Sequence, residues 1–422
     1  MPRERGARRA ATAFRPSHLT EIPAMTAPAP RPYIYIACPW TPVGGGMFKV
    51  ADYLIQSQCD LHDAPIEVMT TARSAQLQPL DTRGARGPLW SLGVLAVALL
   101  RLVQGRCSGR LAGVHVNMAE RLSLVRKSVV VLSCHALGIP VIVHLHAAQL
   151  HRAWPTLPAL ARSMVRHVFS LPACCIVLGR ESANFVQREL GVPAHRIERV
   201  INGVPEPAWP RPPRALGRAS TPQLLFVGNL SARKGVPELL RALALAPLAG
   251  VPLRLTLAGG GDLNGYRAIA QAMGLGDRVC FAGWTEQAQV AQLMSAADLL
   301  VLPSHDEGLP LVILEALACG VPVVCTPVGE IPHVLQDRVH AHFVAPGDVS
   351  GLARTLAALL ADAPQRTALS QQGRALYRQS FALPRFFDQI AALHLRHFGV
   401  AGQRTPDPVP ARSPASPQEA TA

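Results

Sequence analysis

Short apolar runs alternate along the chain with longer runs in which apolar and polar positions recur at helical spacing. The runs that predict β-strands are residues 33–37, 113–117, 141–146 and 174–178 in the first half, and 224–227, 253–258, 278–281, 299–302 and 321–325 in the second. The runs that predict helices include 47–58, 236–244, 288–296 and 310–318. This alternation predicts an α/β protein with parallel sheets covered by helices on both faces.

A proline-rich stretch divides the alternation into two series of similar length. It begins with the sequence NGVP at 202–205 and continues with further prolines, which is typical of a connection between domains. We therefore predict two doubly wound, Rossmann-like domains at 33–204 and 205–380, followed by a helix at 381–400 that returns to the first domain. Ligands of such sheets bind beyond the carboxyl ends of the strands, so the cleft between the domains is the predicted site.

Composition narrows the class of protein. Of the 422 residues, 49% are hydrophobic and 16% are charged, enough apolar surface for a substantial core. Segments 1–32 and 401–422 lack periodicity, and we predict that both are disordered. The sequence has no uninterrupted run of 18 apolar residues, so a membrane-spanning helix is not predicted. The nine cysteines form no CxxC pair, which favours reduced thiols in a cytoplasmic protein.

The net charge of +14 is unevenly distributed. Residues 25–200 contain eighteen basic and nine acidic side chains, a net +9, whereas residues 201–422 contain eighteen and sixteen, a net +2. The excess predicts an anionic ligand or surface for the first half; the alternative is that it serves only solubility. Aromatic residues make up 5% of the chain and no RNA-binding motif is present, so nucleic acid is not a predicted partner.

Two cations follow the first strand of the second series. The run FVGNLSARKG at 226–235 places Arg233 and Lys234 between a strand and a helix. Arg offers forked donors to phosphate oxygens and Lys a point charge, so the pair suits a diphosphate. Only three of the 41 basic residues are Lys, so a Lys beside an Arg indicates a site that requires an ammonium group. The alternative is a solvated pair of loop charges.

A later run, SHDEGLPLVILEALACG, places Glu307 and Glu315 near one predicted helix start. Pro310 is the predicted first helical residue. The free N–H groups of Gly308 and Leu309 would then hold a phosphate, while the two carboxylates accept hydrogen bonds from sugar hydroxyls. An alternative for Glu307 is that its negative charge only stabilises the helix dipole. This alternative explains Glu315 poorly, because the rest of that helix is apolar.

The first series offers weaker candidates. In the run VGGGM, Gly45 and Gly46 let the backbone approach a ligand just before a helix, although a plain tight turn has the same composition.

His144 and His146 lie at the end of a predicted strand, with both rings on the same face of the sheet. With no third ligand at a suitable spacing, zinc is not predicted. We expect His146 to be a neutral donor for a substrate hydroxyl, and His144 is also explained as a core histidine. A glycine run at 259–261 lacks dinucleotide-binding spacing and is predicted to approach the ligand as a turn.

Taken together, these motifs resemble the retaining glycosyltransferases of family four, which have the GT-B fold. The resemblance rests on FVGNLSARKG, the glycine-rich turn and EGLPLVILEALACGVPVV, and it covers about residues 33–398. The segment VIVHLHAAQL is similar to bacterial enzymes of capsule or exopolysaccharide assembly. The resemblance implies an enzyme that moves a sugar from a nucleotide-diphosphate sugar to a saccharide acceptor, either free or linked to polyprenyl diphosphate.

The resemblance also implies a role for each motif. Arg233 and Lys234 would bind the donor diphosphate, Glu315 the ribose and Glu307 the donor sugar, while His146 would stabilise the reacting centre. The implied catalytic residues are His146, Glu307, Arg233 and Lys234, and the implied substrate-binding residues are Gly45, Gly46, Arg233, Lys234, Gly308, Leu309 and Glu315.

In this family the protein supplies the positive charge, so the resemblance implies no metal ion and no cofactor beyond the donor. Retention of the anomeric configuration is attributed in this family to attack by the acceptor on the same face of the sugar that the leaving group departs from. Glu307 is therefore not expected to be a nucleophile. Two residues depart from the family pattern: Asn229, where Arg is frequent, and His333, where an acid is common.

Residues 89–100 bear on the acceptor. They are apolar almost all round, with several arginines nearby, and they are too short to span a bilayer. One interpretation is an interfacial helix on anionic lipid, which predicts a cytoplasmic protein that binds the inner face of the cytoplasmic membrane. The other is a buried crossover helix of the first sheet.

Two rival functions stay open at this point. A nucleotide-sugar epimerase or a phosphorylase of the same fold would share the nucleotide cleft, although epimerases match the paired motifs less closely. A non-catalytic carbohydrate- or nucleotide-binding protein would keep the scaffold. The presence of Arg233, Lys234, Glu307 and Glu315 favours an enzyme over the second rival.

Overall fold

The structure, a computed structural model, covers most of the chain. The described residues are 31–40, 45–57, 74–84, 87–119, 122–146, 150–207 and 221–402. They belong to one compact unit that begins at Arg31. Most of the two terminal segments predicted to be disordered, and the glycine that precedes Gly45, lie outside the described residues.

Strands and helices alternate as the apolar pattern predicts. The strands are β1 Tyr33–Cys38, β2 Ser74–Asp81, β3 Leu111–Met118, β4 Val141–Leu145, β5 Cys174–Val177, β6 Ile197–Arg199, β7 Gln223–Val227, β8 Arg254–Ala258, β9 Val279–Gly283, β10 Leu299–Leu302, β11 Val323–Cys325, β12 His342–Phe343 and β13 Ala401–Gly402. The helices are α1 Gly46–Gln56, α2 Pro88–Cys107, α3 Leu122–Ala136, α4 Leu150–Ala153, α5 Ala159–Ser170, α6 Arg180–Arg188, α7 Val236–Ala244, α8 Ala246–Ala249, α9 Leu263–Ala272, α10 Gln287–Ala296, α11 Leu311–Cys319, α12 Ile331–Val334, α13 Val349–Ala361, α14 Ala363–Leu376 and α15 Leu383–Phe398.

These strands form two parallel sheets. The first has seven strands in the order β13-β2-β1-β3-β4-β5-β6, and the second has six in the order β12-β11-β10-β7-β8-β9. All paired strands are parallel. The predicted fold class, α/β with two doubly wound Rossmann-like sheets facing a cleft, is confirmed.

Both faces of the first sheet are covered, which explains why its interior strand β1 is a continuous apolar run. Every residue of β1 is buried. Ile34 and Ile36 pack into a core shared with the second sheet, whereas Tyr35 and Ala37 pack against the helices on the opposite face. One strand therefore contributes to two cores, because its side chains alternate.

The last described residues return to the first sheet. On α15, His394 is buried and its Nε2 lies 2.9 Å from Nδ1 of His115 in β3. Ala401 and Gly402 then pair with β2 as an edge strand. The expectation that disorder begins at residue 401 is therefore wrong for the first two residues, because backbone pairing orders them.

The apolar segment 89–100 is part of a longer helix than its composition suggests. Helix α2 has 20 residues, and its stretch Leu89–Cys107 is long and apolar enough to cross a membrane by length and composition, with only 17% of that stretch buried. The length argument against spanning is therefore wrong, since arginines within the helix interrupted the apolar run. Helix α2 does connect β2 to β3 and packs on the first sheet, so it is a crossover helix, but most of it is exposed rather than buried.

Candidate active site

A cavity of about 460 Å³ lies between the two sheets, at the carboxyl ends of their strands. Parallel strands bring their following loops to one edge, which is why residues distant in sequence meet there. Every site residue predicted from the sequence lines this cavity: Gly45, Gly46, His146, Arg233, Lys234, Glu307, Gly308, Leu309 and Glu315. Their roles stay predictions, but their convergence on one cleft is a feature of the fold.

The Arg–Lys pair lies in a tight turn that Gly235 makes possible. Residues Ala232–Lys234 form a 3₁₀ turn, and Gly235 follows with a φ of 71°. A side chain at position 235 would collide with the carbonyl of Pro303, so this close approach requires glycine. The N–H of His305 donates to the carbonyl of Arg233 at 2.8 Å. The turn is therefore held against the loop that carries Glu307.

Both cations contact that loop. The ammonium of Lys234 donates to Oε1 of Glu307, which is buried. The guanidinium of Arg233 lies 3.9 Å from Oε2 of the same carboxylate and donates to the carbonyl of Asp306 at 2.6 Å. Burying a carboxylate is costly unless it is paired. Glu307 therefore fixes the two cations beside the cavity.

Helix α11 begins one residue later than predicted. Pro310 has extended backbone angles and precedes the helix, whose first residue is Leu311. Within the described residues, neither the N–H of Gly308 nor that of Leu309 donates a hydrogen bond. These groups and the start of α11 line the cavity, and free N–H groups at a helix start favour an anion.

Glu315 has a partner that the sequence did not indicate. Its Oε1 accepts a hydrogen bond from the ammonium of Lys49 in α1 at 3.0 Å, across the cleft. The two residues are 266 positions apart. A second contact from α1 lies nearby, where Nε2 of Gln287 donates to the hydroxyl of Tyr53 at 2.8 Å.

His146 is neutral, and one of its ring nitrogens is already engaged. Its Nε2–H donates to Oδ1 of Asn117 at 2.8 Å. Burial lowers the pKa of His146 to about 3, assisted by the nearby charges of Lys127 and His115. The proton that the sequence analysis assigned to a substrate hydroxyl is therefore directed at Asn117, and Nδ1 is left as an acceptor.

Behind His146 lies a cluster of buried histidines. The ring centroids of His144 and His146 are 4.0 Å apart, as expected from strand alternation, and His115 follows at 5.5 Å from His144. Neither ring nitrogen of His144 has a hydrogen-bond partner in the described part of the chain. Burial lowers the pKa of His115 to about 3, and it lowers those of His144 and His394 as well. His144 is thus a buried core residue whose two ring nitrogens lack hydrogen-bond partners among the described residues.

Several cavity residues were not singled out from the sequence. They include Met47, Lys49 and Trp284. Lys49 carried one available signal, since it is one of only three Lys in the chain. The described residues contain no group of three or more His, Cys, Asp or Glu that could hold a metal ion.

Two Rossmann-like sheets that face each other across a ligand cleft define the GT-B architecture, as structural comparison confirms. Sucrose-phosphate synthase from Thermosynechococcus elongatus superposes with a TM-score of 0.70 at 21% identity, over 87% of this chain and 100% of that chain. HepE from Anabaena, solved in complex with UDP and glucose, superposes with a TM-score of 0.65 at 22% identity, over 86% of this chain and 99% of that chain.

The sequence of the second half indicates a narrower class of protein than the fold does. Residues 213–376 match the family described as glycosyl transferases group 1, so the second half of the chain is similar to that family. The D-inositol 3-phosphate glycosyltransferase of Mycobacterium marinum is 34% identical over 212 residues, 47% of this chain and 45% of that protein. The chain thus spans about half the length of the curated relatives that it matches.

Proposed function

We propose that this protein is a glycosyltransferase that takes a sugar from a nucleotide-diphosphate sugar. The observation that carries the proposal is the meeting of Arg233, Lys234 and Glu315 in one cleft of a chain whose second half matches the group 1 glycosyl transferases. The cations receive the diphosphate, Glu315 receives the ribose, and Glu307 receives hydroxyls of the donor sugar. The related HepE was solved with UDP and glucose, which supports a nucleotide-sugar donor.

The proposed chemistry follows from where charge develops. When the bond between the sugar and the diphosphate breaks, negative charge grows on the departing phosphate and positive charge on the sugar ring. Arg233, Lys234 and the start of α11 would stabilise the first, since fixed donors aimed at developing charge lower the barrier. His146 presents a neutral ring acceptor to the sugar, so it adds no positive charge beside the forming cation.

The finer features of the reaction are part of the same proposal. We propose that transfer retains the anomeric configuration and that no metal ion or cofactor beyond the donor takes part, because protein cations surround the leaving group. Incubation with UDP-, GDP- and ADP-sugars tests this: release of the nucleotide with transfer of an α-linked sugar, unaffected by EDTA, supports it. Release of a free, epimerised sugar nucleotide would identify an epimerase instead.

We propose that the acceptor is a saccharide of surface-polysaccharide assembly, linked to lipid at an anionic membrane. Helices α2, α3 and α5 expose large apolar side chains: Leu89, Leu92, Val97, Leu100, Val103, Leu122, Val125, Leu132, Leu160 and Met164. These three helices contain no acidic residue, and Arg101, Arg106 and Arg166 are exposed on them. We call this surface the apolar–basic face. Apolar side chains with basic neighbours favour anionic lipid.

Helix α2 is proposed to lie on the membrane rather than to cross it. Ala98 and Leu102, one turn apart, are almost fully buried against the first sheet. A spanning helix would have to give up these contacts.

Flotation with lipid vesicles tests the apolar–basic face. We expect the protein to float with phosphatidylglycerol vesicles at low salt, and much less with phosphatidylcholine alone or at high salt. Changing Leu89 and Leu92 together to Glu should abolish flotation without loss of thermal stability, because both side chains are exposed. Ile269→Glu, at an exposed position on α9, is the matched control. No association of the wild type at low salt would remove the proposed membrane partner.

A further inference from the structure

Helix α1 presents one face to the second sheet's helices across the cleft. Lys49 and Tyr53 are four residues apart, so they lie on the same side of the helix. Lys49 reaches Glu315 on α11, and Tyr53 reaches Gln287 on α10. At the start of α1, a Cβ placed on Gly46 would lie 3.4 Å from Cδ1 of Leu311. The two halves of the cleft thus approach each other at Gly46, Lys49 and Tyr53 of α1.

The environment of Glu315 explains why it needs a partner. The other eight residues of α11 are all buried, so the helix gives its one carboxylate no polar neighbour of its own. The Glu315 side chain is 16% exposed and that of Lys49 is 25% exposed. Among the described residues, Lys49 is the only cation in an ion pair with Glu315. A largely buried carboxylate without such a partner would be strongly destabilised.

The geometry of the pair leaves part of the carboxylate available. The ammonium of Lys49 binds Oε1, and no hydrogen bond to Oε2 is seen in the described structure. Lys binds as a point charge, whereas Arg tends to bind both carboxylate oxygens at once. In a chain whose other cations are nearly all Arg, a Lys here keeps one oxygen of Glu315 free to accept from a hydroxyl.

We propose that Lys49 is a positioning residue for nucleotide binding: it holds the Glu315 carboxylate from across the cleft so that the free oxygen receives the ribose hydroxyls. This rests on the proposed function, in which Glu315 binds the ribose. Binding of the nucleotide is then linked to contact between the two halves, because the ion pair exists only while α1 and α11 face each other.

The test compares a nucleotide that has ribose hydroxyls with one that lacks them. Calorimetry measures binding of the nucleoside diphosphate selected by the sugar-nucleotide panel, and of its 2′,3′-dideoxy analogue, to the full chain. We expect Lys49→Met to weaken binding of the ribonucleotide about tenfold, the scale of a charge-assisted hydrogen bond, and to leave the analogue nearly unaffected. Because both ligands meet the same variant, a general loss of folding would affect them equally.

Three further variants complete the experiment. Glu315→Gln should show the same ribose-dependent loss, and K49M/E315Q should bind no more weakly than the weaker single variant, because the residues act through one contact. Arg396→Met is the matched control: it removes an exposed ion pair to Glu198, 2.5 Å long, that does not line the cavity, and both affinities should stay unchanged.

Each outcome has a distinct meaning. Ribose-dependent losses that are not additive support the inference. Equal weakening of both ligands by Lys49→Met overturns it, because Lys49 would then contact the phosphates directly, and unchanged affinities overturn it too. If the wild type binds no nucleoside diphosphate, the proposed function fails and the inference fails with it; if the wild type binds but the losses are equal, only the inference fails.

Discussion

Replacing Lys234 with Ala is expected to lower kcat for sugar transfer by about a hundred- to a thousand-fold. Its ammonium contacts Glu307 beside the cavity, where the account places the departing phosphate. Losing one fixed hydrogen-bond donor to developing negative charge has an effect of this size.

Glu315→Ala is expected to raise mainly the KM for the nucleotide sugar, roughly ten- to a hundred-fold, because the hydrogen bonds of this carboxylate to ribose are present before and during the reaction.

Steady-state kinetics on purified variants measures both effects. Arg241→Ala is the matched control, since Arg241 is an exposed cation on α7, the helix that follows the Arg–Lys turn. It should retain normal kcat and KM. Near-normal turnover in both Lys234→Ala and Glu315→Ala would refute the proposed site.

Acid is expected to destabilise the protein steeply below about pH 6.5. His115 and His146 have pKa values of about 3 in the folded chain, against an ordinary value near 6.5 when unfolded. Between these values the unfolded chain binds protons that the folded chain excludes, so stability falls as pH falls. Each of these two histidines should lower the free energy of unfolding by roughly 2 kcal/mol at pH 5 relative to pH 8. His144 and His394 act in the same direction.

Urea unfolding at pH 8 and pH 5 measures this loss, which for the two histidines together is about 4 kcal/mol, a large share of the roughly 5–15 kcal/mol by which domains are stable. His115→Gln removes one of the titrating groups and should make the pH dependence shallower. His195→Gln, at an exposed position, is the matched control. A free energy of unfolding that changes by less than about 1 kcal/mol between the two pH values would contradict the argument, as would an unchanged slope in His115→Gln.

The sequence predicted those parts of the fold and site that depend only on short contiguous segments. Strands such as β1 and β10 are apolar throughout because helices or loops cover both faces. Arg233, Lys234 and Glu307 each follow such a strand, so the rule that parallel strands present their carboxyl ends to one cleft was enough to bring them together.

Contacts between distant segments were beyond prediction from the sequence. The pair Lys49–Glu315 joins residues 266 positions apart, and the contact of His115 with His394 spans 279. No local periodicity encodes which helix of one half meets which helix of the other. The same holds for β2, whose run SAQLQPLD mixes polar residues and a proline and so lacks the pattern of a buried strand.

The extent of α2 shows a further limit. Its arginines interrupt the apolar run, so composition alone marked only residues 89–100. Helical geometry continues through these arginines because long basic side chains favour helices and can extend toward solvent or lipid headgroups.

Calorimetric titration with UDP, GDP and ADP measures whether the cleft binds a nucleoside diphosphate through Arg233 and Lys234. We expect saturable binding of at least one of them to the wild type, and a loss of about tenfold or more in Arg233→Ala and Lys234→Ala. No binding of any nucleotide, or binding that both variants leave intact, would contradict it.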